Sequence, residues 1–246
     1  MIARIVRKLH NIYFKENFNI ERCTYKQDGL FTYHNSEFKN DSRFNKAYSA
    51  GKATGSWGVD IEWRVYLACW AADQAKDLDG DFVECGVNKG GISRAIAEYV
   101  SFENLDKKFY LLDTFEGLVE EYLSTAEKEK GFHLNTWGYE DCIDQVKTTF
   151  KGYNVEIIKG AIPGTLSQVN TEKVSFLSID MNCVYPEIEA IKFFWDKVVP
   201  GGMILLDDYG WSSHRDQKLA FDEFVSDKRE SILSLPTGQG LITKKK

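Results

Sequence analysis

The sequence contains no run of eighteen consecutive apolar residues, so no stretch of it reads as a membrane-spanning helix. It contains no Cys-x-x-Cys pair. Its five cysteines, Cys23, Cys69, Cys85, Cys142 and Cys183, are scattered and odd in number, which argues against a disulfide framework and a zinc site. Free thiols in a reducing cytoplasm are the expectation. There is no basic excess either: 31 Lys and Arg against 37 Asp and Glu leave a formal net charge of −6. Phosphates would want a basic surface, so nucleic acid is not the expected partner. No internal repeat occurs, and no low-complexity stretch beyond Lys244-Lys245-Lys246. The opening residues lack the long apolar core and small-residue cleavage site of a secretory signal. Ile2, Ile5, Val6, Leu9 and Ile12 or Tyr13 instead share one helical face, as in a helix docked on the domain, on a second subunit or, with its basic residues, on a membrane surface.

What is present is a globular balance, 43% hydrophobic and 28% charged over 246 residues, enough for one sizeable core. Residues 1–56 read as a helical or irregular extension, a candidate oligomerisation arm, and 57–246 as the main domain. From Val59 to Lys76 the spacing predicts a helix, with Ile61, Val65, Ala68, Cys69 and Ala72 on one side. Short apolar runs then alternate with helical patterns. Strands are expected at 82–85, 109–113, 155–159, 174–180 and 201–208. Helices are expected at 91–100, 140–150, 163–169, 186–197 and 215–226. Near-continuous apolar strands separated by helices imply a parallel sheet covered on both faces. The polar, aromatic-rich stretch 116–138 interrupts this rhythm and is long enough to be an active-site lid.

The last two apolar runs, 232–235 and 241–244, are separated by only Pro236-Thr237-Gly238-Gln239-Gly240. A parallel crossover needs a dozen residues or more, so this pair must be an antiparallel hairpin. A Rossmann-like, doubly wound α/β sheet that is mostly parallel with one antiparallel edge strand is the arrangement of class I methyltransferases.

Ligands of open α/β sheets sit beyond the carboxyl ends of the strands. The first such end is Glu84-Cys85-Gly86-Val87-Asn88-Lys89-Gly90-Gly91, followed by Ile92-Ser93. The Gly-x-Gly-x-x-Gly spacing that faces a pyrophosphate is absent, because Gly86 is followed by Gly90 and Gly91. S-adenosylmethionine carries an ammonium, a sulfonium and a ribose diol in place of a pyrophosphate. Glu84 suits its cationic end, and Asp113, ending the second strand, can accept from ribose hydroxyls. Gly86, Asn88, Ser93 and, at the third strand end, Gly160 complete the candidate cofactor site.

The segments GDFVECGVNKGG, LLDTFEGL, SIDMN and PGGMILLDDYGW, in this order, resemble the macrocin O-methyltransferase family over roughly residues 57–246. The resemblance implies a class I fold, S-adenosylmethionine and Mg²⁺ as cofactors, and methylation of sugar hydroxyls in natural products, the acceptor being a small sugar or glycoside.

Asp180 ends the fourth strand, and Asp207 and Asp208 end the fifth. These strands should be neighbours, so three carboxylates can converge. Hard oxygen ligands suit Mg²⁺, and the resembled family places metal ligands in this pattern. Some relatives carry an aspartate two residues after the first ligand as general base. Here that position is Asn182, whose amide cannot take a proton at neutral pH. His214, six residues after Asp208, is the candidate base, working beside Asp180. His133, with Phe132, Trp137 and Tyr139, lies in the expected lid. Two other readings compete with the methyltransferase: a cofactor-binding accessory protein without turnover, which Asn182 motivates, and a sugar-nucleotide oxidoreductase, which the missing pyrophosphate turn disfavours.

Overall fold

The computed structural model describes residues 23–132 and 140–245. Seven strands form one sheet: β3 (Asp81–Cys85), β4 (Phe109–Asp113), β5 (Val155–Lys159), β6 (Val174–Ile179), β7 (Val198–Leu206), β8 (Leu233–Ser234) and β9 (Gly240–Thr243). Their spatial order is β5-β4-β3-β6-β7-β9-β8. The first five run parallel, β9 pairs antiparallel with β7, and β8 pairs antiparallel with β9. The closing hairpin forms as the five-residue connection requires: β9 brings the antiparallel direction beside β7, and β8 ends the sheet running with the first five strands. The order reverses at β3, whose two neighbours are β4 and β6, and this switch point is where such sheets open a crevice.

Side chains alternate between two cores. Phe82, Phe109, Leu111, Phe176 and Met203 face one side; Val83, Tyr110, Leu112, Leu177 and Ile204 face the other. Both sides are covered, which is why these strands read as unbroken apolar runs. Helices α1 (Ser42–Lys52), α2 (Glu62–Ala75) and α3 (Gly91–Val100) pack together over the first face. On the second face lie α6 (Val184–Phe194) and α7 (Arg215–Val225). The expected inward side of α2 is buried: Val65, Ala68, Cys69 and Ala72 show no exposure. The small α4 (Thr125–Glu129) and α5 (Ile143–Thr149) complete the described helices. None of them is long and apolar enough to cross a membrane.

Several elements depart from the spacing, among them the strand expected at 201–208, which spans Val198–Leu206 so that Asp207 and Asp208 follow its end. α6 starts at Val184, two residues before Pro186, because a proline in the first helical turn gives up an N–H that has no intrahelical partner there. The helix expected at 140–150 begins at Ile143. The one expected at 163–169 shortens to a single 3₁₀ turn at Leu166–Gln168. Residues 23–41 hold a feature absent from the sequence reading, an antiparallel hairpin of β1 (Tyr25–Gln27) and β2 (Leu30–Thr32). Asp28 and Gly29 form its turn, both at positive φ, 51° and 71°, as a tight two-residue hairpin loop demands. The expected helix at the start of the chain lies outside the described residues.

Candidate active site

The crevice beyond the carboxyl ends of β3, β4, β6 and β7 is a cavity of about 430 Å³, within the usual range for small-molecule sites. Of the candidate residues, Glu84, Gly86, Asn88, Asp113, Gly160, Asp180, Asp207, Asp208 and His214 all line it. Ser93 does not. It is fully buried in α3, behind the wall, and its hydroxyl donates to Glu84 Oε2. Ser93 therefore reaches the cavity only through Glu84.

The β3–α3 turn is shaped by close approach. At Gly86 (φ 92°) a Cβ would lie 1.8 Å from the carbonyl oxygen of Asp180, so no other residue lets β3 and β6 meet here. On Gly91 a Cβ would stand 2.2 Å from the ring of Trp57, which also lines the cavity. Glu84 is 2% exposed. Burial raises its pKa well above the ordinary carboxylate range, and Asp207 and Asp113 add to the rise. A buried acid of this kind gains from a cationic ligand that restores its charge.

Asp113 holds the same turn from the next strand. Its Oδ2 accepts from the N–H groups of Val87 (2.6 Å) and Asn88 (2.7 Å), and its Oδ1 from that of Phe115 (2.7 Å). The carboxylate thus fixes the glycine turn against β4. Any ribose hydroxyl must share these oxygens with the backbone. Gly160 is tied to the same strand end, its N–H donating to the Asp113 carbonyl at 2.8 Å.

At the other end of the cavity, β6 and β7 bring Asp180, Asp207 and Asp208 together, with one oxygen from each lying within 4.8 Å of the others. Burial raises the Asp180 carboxyl well above its usual range, with Asp207 and Asp208 next in effect. Burial likewise pushes Asp208 up to about 6; a charged His214 works against the rise and Asp207 adds to it. Asp207 is bonded on both oxygens: Oδ2 accepts from Arg64 Nη1 at 2.7 Å and Oδ1 from Gln239 Nε2 at 2.8 Å. Asp208 Oδ2 is buried with no hydrogen-bond partner among the described residues. Three crowded, desolvated carboxylates with one orphaned oxygen fit a hard divalent cation.

His214 is 8% exposed, on the 3₁₀ turn that precedes α7. Its Nδ1 lies 4.0 Å from Asp208 Oδ2. Asn182, at φ 55°, donates from Nδ2 to Asp180 Oδ1 at 3.3 Å. Its amide orients the carboxylate.

The described part of the expected lid, residues 116–132, contributes Gly117, Leu118, Val119 and Tyr122 to the cavity lining. Leu118, Leu123 and Cys183 pack with Tyr122 and Phe132. Glu127 caps α4 through Ser124 and also accepts from the N–H of Val184 at 2.9 Å, tying the segment to α6. Phe132 lies against His214, ring centroids 5.4 Å apart. His133, Trp137 and Tyr139 fall outside the described residues.

Arg64 and Asp28 were invisible to the sequence reading. A lone arginine on a half-apolar helix looks like a solvated residue. The Asp28-Gly29 pair was a hairpin signal, but the signal does not say where the turn docks. Tyr48 and Lys52 have the Tyr-x-x-x-Lys spacing of reductases. Both side chains, however, bond to Asp60, and neither lines the cavity.

The family model of the macrocin-O-methyltransferases (TylF) matches residues 62–231. A Streptomyces olivaceus protein, 8-demethyl-8-(2,3-dimethoxy-alpha-L-rhamnosyl)-tetracenomycin-C 4'-O-methyltransferase, is 25% identical over 152 residues, covering 58% of each chain. Mycinamicin III 3''-O-methyltransferase of Micromonospora griseorubida is 21% identical over 176 residues, 63% of this chain and 68% of that one. The match thus spans under two thirds of the first relative's length. Among solved structures, the O-methyltransferase NovP superposes with a TM-score of 0.66 at 19% identity, over 74% of this chain and 80% of that one. That likeness shows the class I fold.

Proposed function

The chain belongs to the macrocin-O-methyltransferase family, and on that premise we propose that it transfers the methyl group of S-adenosylmethionine to a hydroxyl of a sugar or glycosylated small molecule. The observation that carries this reading is the two-ended cavity. One end has a buried acid and a glycine turn without pyrophosphate spacing. The other has a carboxylate trio beside a histidine. The named substrates of the two relatives, a rhamnosylated tetracenomycin and a mycinamicin, favour a sugar acceptor.

At the cofactor end, Glu84 receives the ammonium group, and Ser93 holds Glu84 in place. Asp113 keeps the glycine turn closed and offers its oxygens to the ribose. Bound there, the cofactor would supply an electrophilic methyl group, and Asp180, Asp208 and His214 line the part of the cavity left for an acceptor. Transfer forms a C–O bond as the C–S bond breaks; S-adenosylhomocysteine leaves, and the acceptor oxygen gives up its proton. Asn182 cannot take that proton. His214 can, through a neutral ring nitrogen, and Asp208, 4.0 Å from Nδ1, would stabilise the imidazolium that forms. Asp180, Asp207 and Asp208 would hold Mg²⁺, which when bound acidifies and orients a hydroxyl. Phe132, against the His214 ring, would limit water on that side.

The test is a screen of isotopically labelled S-adenosylmethionine against glycosides with free vicinal hydroxyls, read by product mass and NMR. Labelled O-methyl on a sugar carbon is the expected product. Tight cofactor binding with no transfer to any glycoside would favour the accessory-protein reading.

A further inference from the structure

The geometry points to Arg64 as a built-in counter-cation of the acidic cluster, clamped by Asp28 of the N-terminal hairpin so that the cluster stays open to a divalent metal ion. The inference rests on the reading of Asp180, Asp207 and Asp208 as a metal site. It concerns how this chain's own residues set the affinity of that site.

Arg64 lies in the first turn of α2, and its side chain is 17% exposed. Its guanidinium is divided between two carboxylates. Nε and Nη2 donate as a fork to Asp28 Oδ2 and Oδ1, both at 3.1 Å, and Nη1 donates to Asp207 Oδ2 at 2.7 Å. Burial works to lower the pKa of Arg64, but Asp207 and Asp28 outweigh it and keep the group charged. The plane is further fixed by Trp211, whose ring centre lies 5.2 Å from the guanidinium carbon.

Asp28 can do this because of the hairpin turn it sits on. A Cβ at the neighbouring Gly29 would come 3.3 Å from Trp211, so the turn presses directly on that ring. Tyr25 at the base of the hairpin is 3% exposed, and its hydroxyl donates to the carbonyl of Asp60 at 3.4 Å. The hairpin is thus seated on the domain, its tip against Arg64 and Trp211, which line the cavity.

Two consequences follow from the division of the fork. Only one edge of the guanidinium faces the cluster, so Arg64 bonds Asp207 and leaves Asp180 and Asp208 free of it. Without Asp28, Nε and Nη2 would lack acceptors in a buried place, while in the cluster Asp208 Oδ2 is buried without a hydrogen-bond partner among the described residues. The guanidinium would then turn onto the carboxylates and compete with a metal ion. Arg64 and Asp28 are positioning residues with opposite signs. The arginine's charge weakens cation binding, while Asp28 limits that effect.

The test is calorimetric titration of the full-length protein with Mn²⁺, without acceptor, alongside the melting temperature of each variant. Arg64→Met should tighten Mn²⁺ binding about tenfold, the scale of one nearby charge at a partly screened site, while lowering turnover. Asp28→Asn should weaken Mn²⁺ binding by about tenfold. The double variant should match Arg64→Met, because Asp28 acts through the arginine. Arg64→Lys keeps the charge but loses the fork that Asp28 holds, so it should bind Mn²⁺ no more tightly than wild type, which separates loss of charge from a change of fold in the methionine variant. Wild-type Mn²⁺ binding left unchanged or weakened by a folded Arg64→Met overturns this proposal alone. No Mn²⁺ binding by any form overturns the metal reading, and this proposal with it.

Discussion

Replacing Asp180 by asparagine should make the metal-free protein more stable. Asp180, Asp207 and Asp208 crowd oxygens within 4.8 Å of one another, and Arg64 meets only Asp207 among them. Folding raises the Asp208 carboxyl from an ordinary 3.8 to about 6. The folded state therefore holds this proton more tightly than the unfolded state, and stability falls as the pH rises between about 4 and 6. Above that window, ionising this one group costs about 3 kcal/mol. Burial raises the Asp180 carboxyl too, with Asp207 and Asp208 adding to the rise. An amide of the same shape keeps the contact to Asn182 and removes the charge. The expected gain at about pH 7.5 is roughly 1–3 kcal/mol, a rise in melting temperature of roughly 3–10 °C for a chain of this size. At about pH 5, where much of the carboxyl is already protonated in the fold, the gain should shrink by about half. Saturating Mg²⁺ should reverse the order by stabilising the wild type through mass action. Differential scanning calorimetry across these conditions decides the matter. A lower melting temperature for metal-free Asp180→Asn at neutral pH, in chelator-treated buffer, would refute the reasoning.

Three further substitutions probe the rest of the cavity. Asp113→Ala removes the acceptor for the Val87, Asn88 and Phe115 N–H groups and should weaken S-adenosylmethionine by roughly 10–100-fold, the size of a lost charge-assisted contact; equal affinities by calorimetry would remove Asp113 from the site. His214→Ala should lower turnover by roughly 10²–10⁴-fold while cofactor affinity holds, and near-normal turnover would leave His214 as a packing residue. Gly86→Ala forces a Cβ to within 1.8 Å of the Asp180 carbonyl at a positive φ and should cost several kcal/mol, about what a clash plus backbone strain produces; a melting temperature within a degree or so of wild type would contradict the close approach of β3 and β6.

Much of the scaffold was legible because its signals are local. FYLLD and VEIIK are strands over the same residues that the apolar runs mark. The closing hairpin followed from the length of its connection alone. Strand adjacency then placed Asp180 beside Asp207 and Asp208 without any long-range information. What escaped was tertiary. Ser93 looked like a ligand contact because it follows the glycine turn, but α3 carries its hydroxyl inward onto Glu84. Asp113 looked like a free acceptor, yet three backbone donors claim it. Arg64 and Asp28 are 36 positions apart and meet only once the hairpin seats against α2. Neither carries a motif, so their role depends on a docking that no spacing encodes.

The central claim is that one cavity holds S-adenosylmethionine at its Glu84 end and an acceptor hydroxyl at its carboxylate end. Single-turnover methyl transfer to a glycoside, on protein stripped with EDTA and then resupplied with Mg²⁺, tests it most directly. Transfer should vanish on stripping, return with Mg²⁺, and stay absent in Asp207→Asn. Undiminished transfer after exhaustive chelation and in Asp207→Asn would contradict the account.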